Sequence, residues 1–300
     1  MNIDVVRGGL MTTVQDQGRD GWRRYGVPGS GALDFEEARA ANVLVGNGVD
    51  SAFLESTLDG PILRFPGGGL IALCGADVAA RVDGCDVPMR HPILLPASAT
   101  LETGHVARGC RFYIAVAGGL DVPIVLGSRS TCLRAAFGGH QGRVLRAGDR
   151  LPIGPLSRES RRRFELLGGT GCNTPVVGAW RAVEAERRGR IGIVPGEEYD
   201  MLDEKSRRRF LQETFIVDPA SDRMGLRLRG GPLHLVSLIS MASRAVIPGA
   251  IQLPPDGEPM ILLADCGATG GYPVIGYVAR KDLSRLGQAW VGDTIGFELR

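Results

Sequence analysis

Short apolar stretches, separated by turns that contain glycine, proline or aspartate, make up most of the pattern of hydrophobic and polar positions along the chain. Between residues 51 and 153 these stretches follow one another closely, as at Leu70–Cys74 and Arg111–Ala117. Their length and the spacing of the turns are typical of strands in barrels and sandwiches. The pattern therefore predicts a mainly β fold.

A few short helices interrupt this pattern. Asp34 is a predicted N-cap, because Glu37 follows three residues later and completes a partial capping box. The apolar residues between 38 and 45 have the spacing of one helix face, and Gly46 ends that pattern. Residues 203–213 are predicted to form another helix.

A short internal repeat indicates two similar domains. The segment AGDRLPI at residues 147–153 recurs as VGDTIGF at residues 291–297, each a Gly-Asp turn that leads into a strand. The charged and glycine-rich residues 155–175 have the composition of a connection between the two copies. The sequence therefore predicts one β domain over residues 1–155 and a second over residues 156–300, and it leaves open whether they exchange strands.

One stretch in the second half combines a buried strand with a glycine-lined loop. Met260–Ala264 is a continuous apolar run that ends on Asp265, and Thr269–Pro273, with the sequence TGGYP, follows shortly afterwards. A carboxylate at the end of a buried strand, next to glycines that let a ligand approach the backbone, suits a binding site. The alternative is a strand cap followed by a tight turn.

Composition and charge narrow the class of protein. The chain has 300 residues, of which 44% are hydrophobic, and a formal net charge of only +2, so charge gives no case for nucleic-acid binding. The six cysteines and four histidines have no zinc-type spacing, so no metal site is predicted and reduced thiols are expected. The amino terminus lacks the apolar run of a signal peptide, and no apolar run reaches membrane-spanning length. We expect a cytoplasmic protein with no nucleic-acid or membrane partner.

Polar residues gather on four predicted loops, where hydroxyl, amide, arginine and carboxylate groups could bind carboxylates, phosphates or carbonyls. The alternative is four turns whose polar groups satisfy one another. No Ser-His-Asp arrangement, P-loop or dinucleotide-binding motif is present. The candidate residues are Thr13, Gln15, Asp16 and Arg19; Ser128, Arg129, Ser130 and Thr131; Arg223 and Arg227; and Gln252, Asp265, Thr269, Gly270 and Tyr272.

Several of these loops belong to a collinear set of motifs. The set comprises TTVQDQGR, GVPGSGALD, GGLDVP with GSRST, GGHQGRVLRAGD, SDRMGLRLRG, GAIQLPPDGEP and TGGYP. In this order they closely resemble the family of allophanate hydrolase subunit 2-like proteins. That family includes the C-type subunit of bacterial 5-oxoprolinase, the Kip antagonist protein and the carboxyltransferase region of urea amidolyase.

The resemblance implies a fold and a partner. It implies two cyclophilin-like β-barrel domains with a few short helices. It also implies an allophanate hydrolase subunit 1-like protein, equivalent to the B-type subunit of 5-oxoprolinase, as the partner.

The substrates of the family share an N–H next to a carbonyl, as in 5-oxoproline, urea and the biotin ureido ring. The implied activity is therefore the ATP-dependent opening of 5-oxoproline to glutamate by a C-type subunit that acts with its B-type partner.

Two other functions remain open. The same scaffold could transfer a carboxyl group from carboxybiotin to urea or another amide, or it could be a non-catalytic module that binds a kinase-inhibiting partner. In an enzyme, arginine and amide donors would polarise the carbonyl, and Asp16 or Asp265 would remove the N–H proton. The chain departs from the family at Gly267 and Ala268, where a glutamine and a threonine are usual, and at Arg244, where a glutamate is frequent.

Overall fold

The protein divides into two compact units, each built around its own β sheet. The computed structural model describes residues 1–183, 189–237 and 241–300, without the side chain of residue 170. Unit 1 comprises Met1–Arg19 and Ser30–Ala185, and unit 2 comprises Asp20–Gly29 and Glu186–Arg300.

In the described residues unit 1 is a single branched sheet with two α-helices. Its elements are β1 (Asn2–Arg7), β2 (Met11–Gln15), α1 (Phe35–Leu44), β3 (Phe53–Thr57), β4 (Ile62–Phe65), β5 (Gly69–Val82), β6 (Cys85–Val87), β7 (Pro92–Leu95), β8 (Ala99–Val116), β9 (Arg150–Pro152), α2 (Arg158–Leu166) and β10 (Val176–Val177). The strand order of the sheet is β10-β7-β5-β8-β4-β1-β9, with β2 paired to β3, β3 to β8 and β6 to β5. Both long strands, β5 and β8, are needed for the branching, because each pairs with different partners along its length.

Alternation along β5 builds the core of unit 1 on both faces of the sheet. Ile71 and Leu73 pack into one apolar cluster, whereas Leu70, Ala72 and their neighbours pack against α1 in another. The α1 helix begins as predicted, since the Asp34 side chain accepts a hydrogen bond from the Glu37 N–H at 3.3 Å. Both faces of the sheet are therefore covered, and α1 is fixed by its cap.

Unit 1 extends to Ala185, whereas the sequence predicts the boundary between the domains at residue 155. The N-cap of α2, Ser157, donates from its Oγ to the Gly46 carbonyl at 2.7 Å, and Phe164 packs against the α1 cluster. Strand β10 then pairs with β7 at the edge of the sheet. The charged residues of α2 resemble a linker in sequence, but they are the outer face of a helix that packs on unit 1.

Unit 2 contains a closed barrel. In the described residues its elements are β11 (Ile191–Pro195), α3 (Glu204–Gln212), β12 (Thr214–Val217), β13 (Gly225–Arg229), β14 (Arg244–Ala245), β15 (Ala250–Gln252), β16 (Met260–Leu262), β17 (Thr269–Gly270), β18 (Val274–Val278), α4 (Arg280–Leu286) and β19 (Thr294–Leu299). The strand order of the barrel is β11-β18-β15-β16-β13-β12-β19, and β19 pairs in parallel with β11 to close it. The buried ring of Phe210, on α3, contacts that of Phe297, on β19, with the centroids 4.7 Å apart and the planes tilted by 38°. A two-stranded ribbon of β14 and β17 lies outside the barrel path.

The repeated Gly-Asp pair occupies the same backbone arrangement in both units. In unit 1 the Val5 N–H donates to the second residue of Gly148–Asp149 at 2.9 Å, and the Val5 carbonyl accepts from the first residue at 2.9 Å. In unit 2 Val217 makes the same two bonds to Gly292–Asp293, at 2.9 and 3.0 Å. Both glycines are left-handed, with φ of 89° and 90°. The predictions of an internal repeat and of a mainly β fold are confirmed.

The four helices, α1 to α4, have between 7 and 10 residues. None of the helices in the described chain is long and apolar enough to cross a membrane. All six cysteines are free thiols.

Replacing Asp149 by asparagine is expected to destabilise the protein in a pH-dependent way. Arg143 donates to both carboxylate oxygens at 2.7 Å, the Arg146 N–H donates at 2.8 Å, and His140 lies 3.3 Å away. The hydrogen bonds from Arg143 hold the pKa of the Asp149 carboxyl well below its usual range. The stabilisation is therefore complete above the unfolded pKa of about 3.9 and is lost as the pH falls through the folded pKa.

Urea unfolding of the wild type and Asp149→Asn measures this effect. We expect a difference of about 1–3 kcal/mol in the free energy of unfolding at neutral pH. The difference should shrink below about pH 4, where the unfolded wild-type carboxyl becomes protonated. A difference that stays constant through that range would contradict the assigned ion pair.

Candidate functional site

The predicted site residues lie in both units. In unit 1, residues 13–19 and 128–131 come together; we call this group the Asp16 cluster. In unit 2, Arg223, Gln252 and residues 265–272 come together, and we call residues 265–272 the Asp265 loop.

Asp16 organises its cluster as a shared hydrogen-bond acceptor. It follows β2 directly and is only 7% exposed. Its carboxylate accepts from Ser128 Oγ at 2.6 Å, Ser130 Oγ at 2.5 Å, the Arg129 N–H at 2.5 Å and the Gly18 N–H at 2.8 Å. Because four donors converge on its two oxygens, the carboxylate fixes the loop of residues 128–131 to the end of β2.

Gln15 and the threonines extend this network. The Gln15 Nε2 donates to Thr13 Oγ1 at 3.0 Å and to the Thr131 carbonyl at 3.2 Å, and its Oε1 accepts from the Gly31 N–H at 3.1 Å. Thr131 Oγ1 donates to the Val14 carbonyl at 2.9 Å. These side chains are fully buried or nearly so. They hold the strand and the loop together.

Arg19 lies beneath the same loop and is 3% exposed. Its Nε donates to the Val125 carbonyl at 3.2 Å, its Nη2 donates to the Ser130 carbonyl, and its guanidinium lies 4.7 Å from the centre of the Phe137 ring. Gly138 has a φ of 71°, and a Cβ there would come within 2.3 Å of the arginine Nη2. The glycine of the GGHQG motif therefore makes room for this arginine.

Arg129 is the more accessible arginine of the cluster, with its side chain 30% exposed. Its Nε donates to the Val122 carbonyl at 3.0 Å and its Nη2 to Asp121 at 3.1 Å. Both contacts are with the segment before its own loop, so the guanidinium is held at the edge of the Asp16 cluster.

In unit 2 the predicted carboxylate and one predicted arginine form a buried pair. Arg223 donates from Nε to one oxygen of Asp265 at 2.8 Å and from Nη2 to the other at 3.4 Å. The Asp265 N–H donates to the Arg223 carbonyl at 3.1 Å. The two residues are 6% and 4% exposed. The predicted strand is shorter than expected, since β16 ends at Leu262, and Asp265 lies in the following turn.

The glycine segment is paired rather than fully looped, as β17 pairs with β14. Gln252 is 3% exposed, and its Nε2 donates to the Tyr272 carbonyl at 3.5 Å. A Cβ at Gly270 would lie 2.4 Å from that Nε2, so only glycine leaves room for the amide. The Tyr272 side chain is 42% exposed and Thr269 is exposed. The structure therefore brings Gln252, Gly270 and Tyr272 together.

Arg227 does not share the environment of Arg223. It lies in the middle of β13, where Leu226 and Leu228 are buried and Arg227 is exposed. Strand alternation therefore directs its side chain to the outside of the barrel.

Two residues that the sequence analysis missed support the Asp265 loop. Glu198 accepts from Arg244 Nη2 at 2.5 Å and from the Val274 N–H at 2.7 Å. Arg23 donates from Nη2 to the Val246 and Gly267 carbonyls, each at 2.7 Å. Arg244 lies opposite Gly270 in the ribbon. Its ion pair with Glu198 therefore holds the strand that is paired with Gly270. In the sequence, the signal for this carboxylate partner is the consecutive pair Glu197–Glu198.

The departure at Gly267 leaves room for a larger residue. A Cβ there would lie 3.4 Å from the Thr269 carbonyl oxygen, which is an ordinary van der Waals distance. The loss of a side chain at this position is therefore not imposed by the backbone of the loop.

Comparison with known proteins gives matches over nearly the whole chain. Residues 25–299 match the family model described as carboxyltransferase domain, subdomain A and B. The chain is 37% identical to the C-type subunit of 5-oxoprolinase from Escherichia coli over 98% of this chain and 90% of that protein. It is 33% identical to urea amidolyase of Saccharomyces cerevisiae over 98% of this chain but 16% of that protein.

Two solved structures resemble this chain over almost its whole length. The crystal structure of urea amidolyase from Kluyveromyces lactis superposes with a TM-score of 0.86 at 31% identity, covering 99% of this chain and 18% of that one. The urea carboxylase structure of the same organism gives a TM-score of 0.86 at 31% identity and covers 99% of this chain and 27% of that one. The chain therefore corresponds to one region of these larger proteins.

Proposed function

Since the chain belongs to the family of carboxyltransferase domains with subdomains A and B, we propose that it is the C-type subunit of an ATP-dependent, 5-oxoprolinase-like amidohydrolase. It acts with a B-type partner subunit to open 5-oxoproline to glutamate. The observation that carries this proposal is the match to the C-type subunit of 5-oxoprolinase over 98% of this chain and 90% of that protein. The urea amidolyase match covers only 16% of the larger protein.

The geometry of Gln252 supports a lactam as the substrate class. A lactam presents its N–H and its carbonyl on the same side of a ring, and a carboxamide presents a matching acceptor and donor. Among the described residues the Gln252 amide has one long hydrogen bond, of 3.5 Å, to the Tyr272 carbonyl. It is thus a buried amide that is held weakly by its own chain and borders a glycine. In the proposal it binds the N–H and the carbonyl of the lactam.

In the proposal, Asp265 is the base that takes the N–H proton of the lactam. Arg223 orients the Asp265 carboxylate through two hydrogen bonds, and both residues are almost inaccessible to solvent. A positioned carboxylate in such a place can take the N–H proton while the carbonyl is being activated and return it to the nitrogen as the C–N bond breaks. Asp16, whose oxygens already accept four hydrogen bonds, is assigned to holding the loop of residues 128–131.

ATP is assigned to the partner in this proposal. The arginines of both groups donate to partners within their own unit: Arg19 to carbonyls, Arg129 to Val122 and Asp121, and Arg223 to Asp265. A triphosphate needs several cationic and backbone donors that point at one place. The arginines of these two groups do not fit that requirement, and we derive no step through ATP on this chain.

Carboxyl transfer is the second candidate. The match to urea amidolyase and the superposition on urea carboxylase favour it. Under this alternative, the Gln252 amide binds urea or the ureido ring of carboxybiotin, which have the same N–H and carbonyl arrangement. The regulatory alternative, in which this chain sequesters a kinase-inhibiting partner, needs no turnover at all.

Reconstitution with the B-type neighbour distinguishes these functions. We expect the two chains to co-elute in size-exclusion chromatography, and the complex, supplied with any lactam-utilisation-like subunit encoded beside it, to release glutamate from 5-oxoproline only when ATP is present. Obligate interfaces bury about 2,000 Å² or more, so the complex should persist at micromolar concentration. Carboxylation of urea with a biotin carboxylase, and no glutamate release, would favour the second candidate. Separate elution would contradict the proposed assembly.

A further inference from the structure

A segment from the first tenth of the chain reaches the Asp265 loop. Residues 20–29 belong to unit 2, although the residues on either side belong to unit 1. They contain a single 3₁₀ turn, Arg23–Tyr25. The Arg23 guanidinium donates from Nη2 to the Val246 and Gly267 carbonyls at 2.7 Å, and from Nη1 to the Cys266 carbonyl at 3.4 Å.

These acceptors lie on both sides of the ribbon that carries Gly270. Val246 follows β14 directly, and Gly267 lies two residues before β17. The Val246 N–H also donates to the Ala268 carbonyl at 3.1 Å. One planar cation therefore joins the end of β14 to the approach to β17, through charge-assisted bonds that a point charge such as lysine cannot reproduce together.

The Arg23 guanidinium makes its hydrogen bonds to carbonyl oxygens. In the described part of the chain no carboxylate forms an ion pair with it, and its Nη2 also lies 3.5 Å from Cys266 Sγ. Burial raises the pKa of the Cys266 thiol, and the nearby guanidinium partly opposes that rise. The thiol therefore stays protonated, and Arg23 interacts with the loop through its backbone.

We propose that Arg23 is a positioning residue of the candidate site, which fixes residues 265–272 by binding three carbonyl groups. Its catalytic consequence rests on the proposed function, but its effect on loop order does not. Without Arg23 the ribbon loses the tie between Val246 and Gly267, and Asp265 and Gly270 shift relative to Gln252. A misplacement of about 1 Å can cost about 100-fold in rate.

Hydrogen exchange tests the ordering directly. In Arg23→Ala and Arg23→Lys, the amides of residues 263–272 and of Val246 should exchange at least about 10-fold faster than in the wild type, while the barrel strands keep their protection. Alkylation of Cys266, which is 1% exposed, should rise in parallel. Arg24→Ala is the matched control, since Arg24 is exposed and contacts the ring of Tyr25.

In the reconstituted complex we expect kcat to fall by about 10- to 100-fold in both Arg23 variants, with little change in KM. Exchange like that of the Arg24→Ala control would overturn the proposal. So would faster exchange throughout the barrel, because it would indicate a general structural role. A wild-type complex that releases no glutamate would contradict the proposed function, and the exchange data would still decide the role of Arg23.

Discussion

Replacing Asp265 by asparagine is expected to lower the glutamate release of the assembled enzyme by about 100-fold or more. The change keeps the shape of the side chain but removes its capacity to accept the lactam proton. It also removes the negative charge to which the buried Arg223 guanidinium donates two hydrogen bonds. Because neutralising one member of a buried ion pair is costly, the free energy of unfolding should fall by about 3–5 kcal/mol.

The two effects are separated by variants that share only one of them. Arg223→Lys keeps both charges but loses the planar fork, so it should disturb the carboxylate orientation with a smaller loss of stability. Asp282→Asn breaks another buried ion pair of unit 2, in which Arg285 donates to Asp282 at 2.7 Å. That control should lose stability with near-normal turnover. Normal turnover in folded Asp265→Asn would remove Asp265 from the chemistry.

Replacing Asp16 by asparagine is expected to have the largest effect on the stability of unit 1. The carboxylate accepts from four donors, and an amide would set its NH₂ group against at least one of them. A buried donor without an acceptor costs about 1–3 kcal/mol, and bonds to a charged group are stronger than neutral ones. We therefore expect a loss of about 2–4 kcal/mol in urea unfolding, with faster exchange in residues 128–131.

The control for this change is Asp121→Asn. It removes the ion pair of Arg129 at the exposed edge of the cluster, where Asp121 is 57% exposed. Such pairs contribute about 0.2–1 kcal/mol. If Asp16→Asn costs no more than Asp121→Asn, the Asp16 carboxylate does not organise the loop.

The sequence predicted features whose cause is local. The β pattern, the cap of α1 and the repeated Gly-Asp turn depend on neighbouring residues, and the structure confirms each of them. Asp265 and Gly270 could be grouped because they are close in sequence. The 265–272 segment was therefore identifiable before any tertiary contact was known.

Features that depend on side chains far apart in sequence were not predictable. The Arg223–Asp265 pair joins residues 42 positions apart, and Arg23 reaches Gly267 across 244 positions. No periodicity or motif encodes such pairings, because they are set by how the elements pack. The place of α2 in unit 1 could not be predicted for a similar reason, since α2 buries only Ser160 completely and its sequence is largely charged.

The path of the chain through residues 20–29 limits how the gene for such a protein can be split or rearranged. The chain enters unit 2 early, returns to unit 1, and enters unit 2 again after residue 185. No single break in the gene can therefore separate the two units intact, because a fragment that starts at residue 186 leaves Arg23 behind. Gene fission or domain shuffling would need at least two cuts, or a second copy of the segment. Fusion to other enzymes at either end needs neither, so the two units are expected to be transmitted as one block.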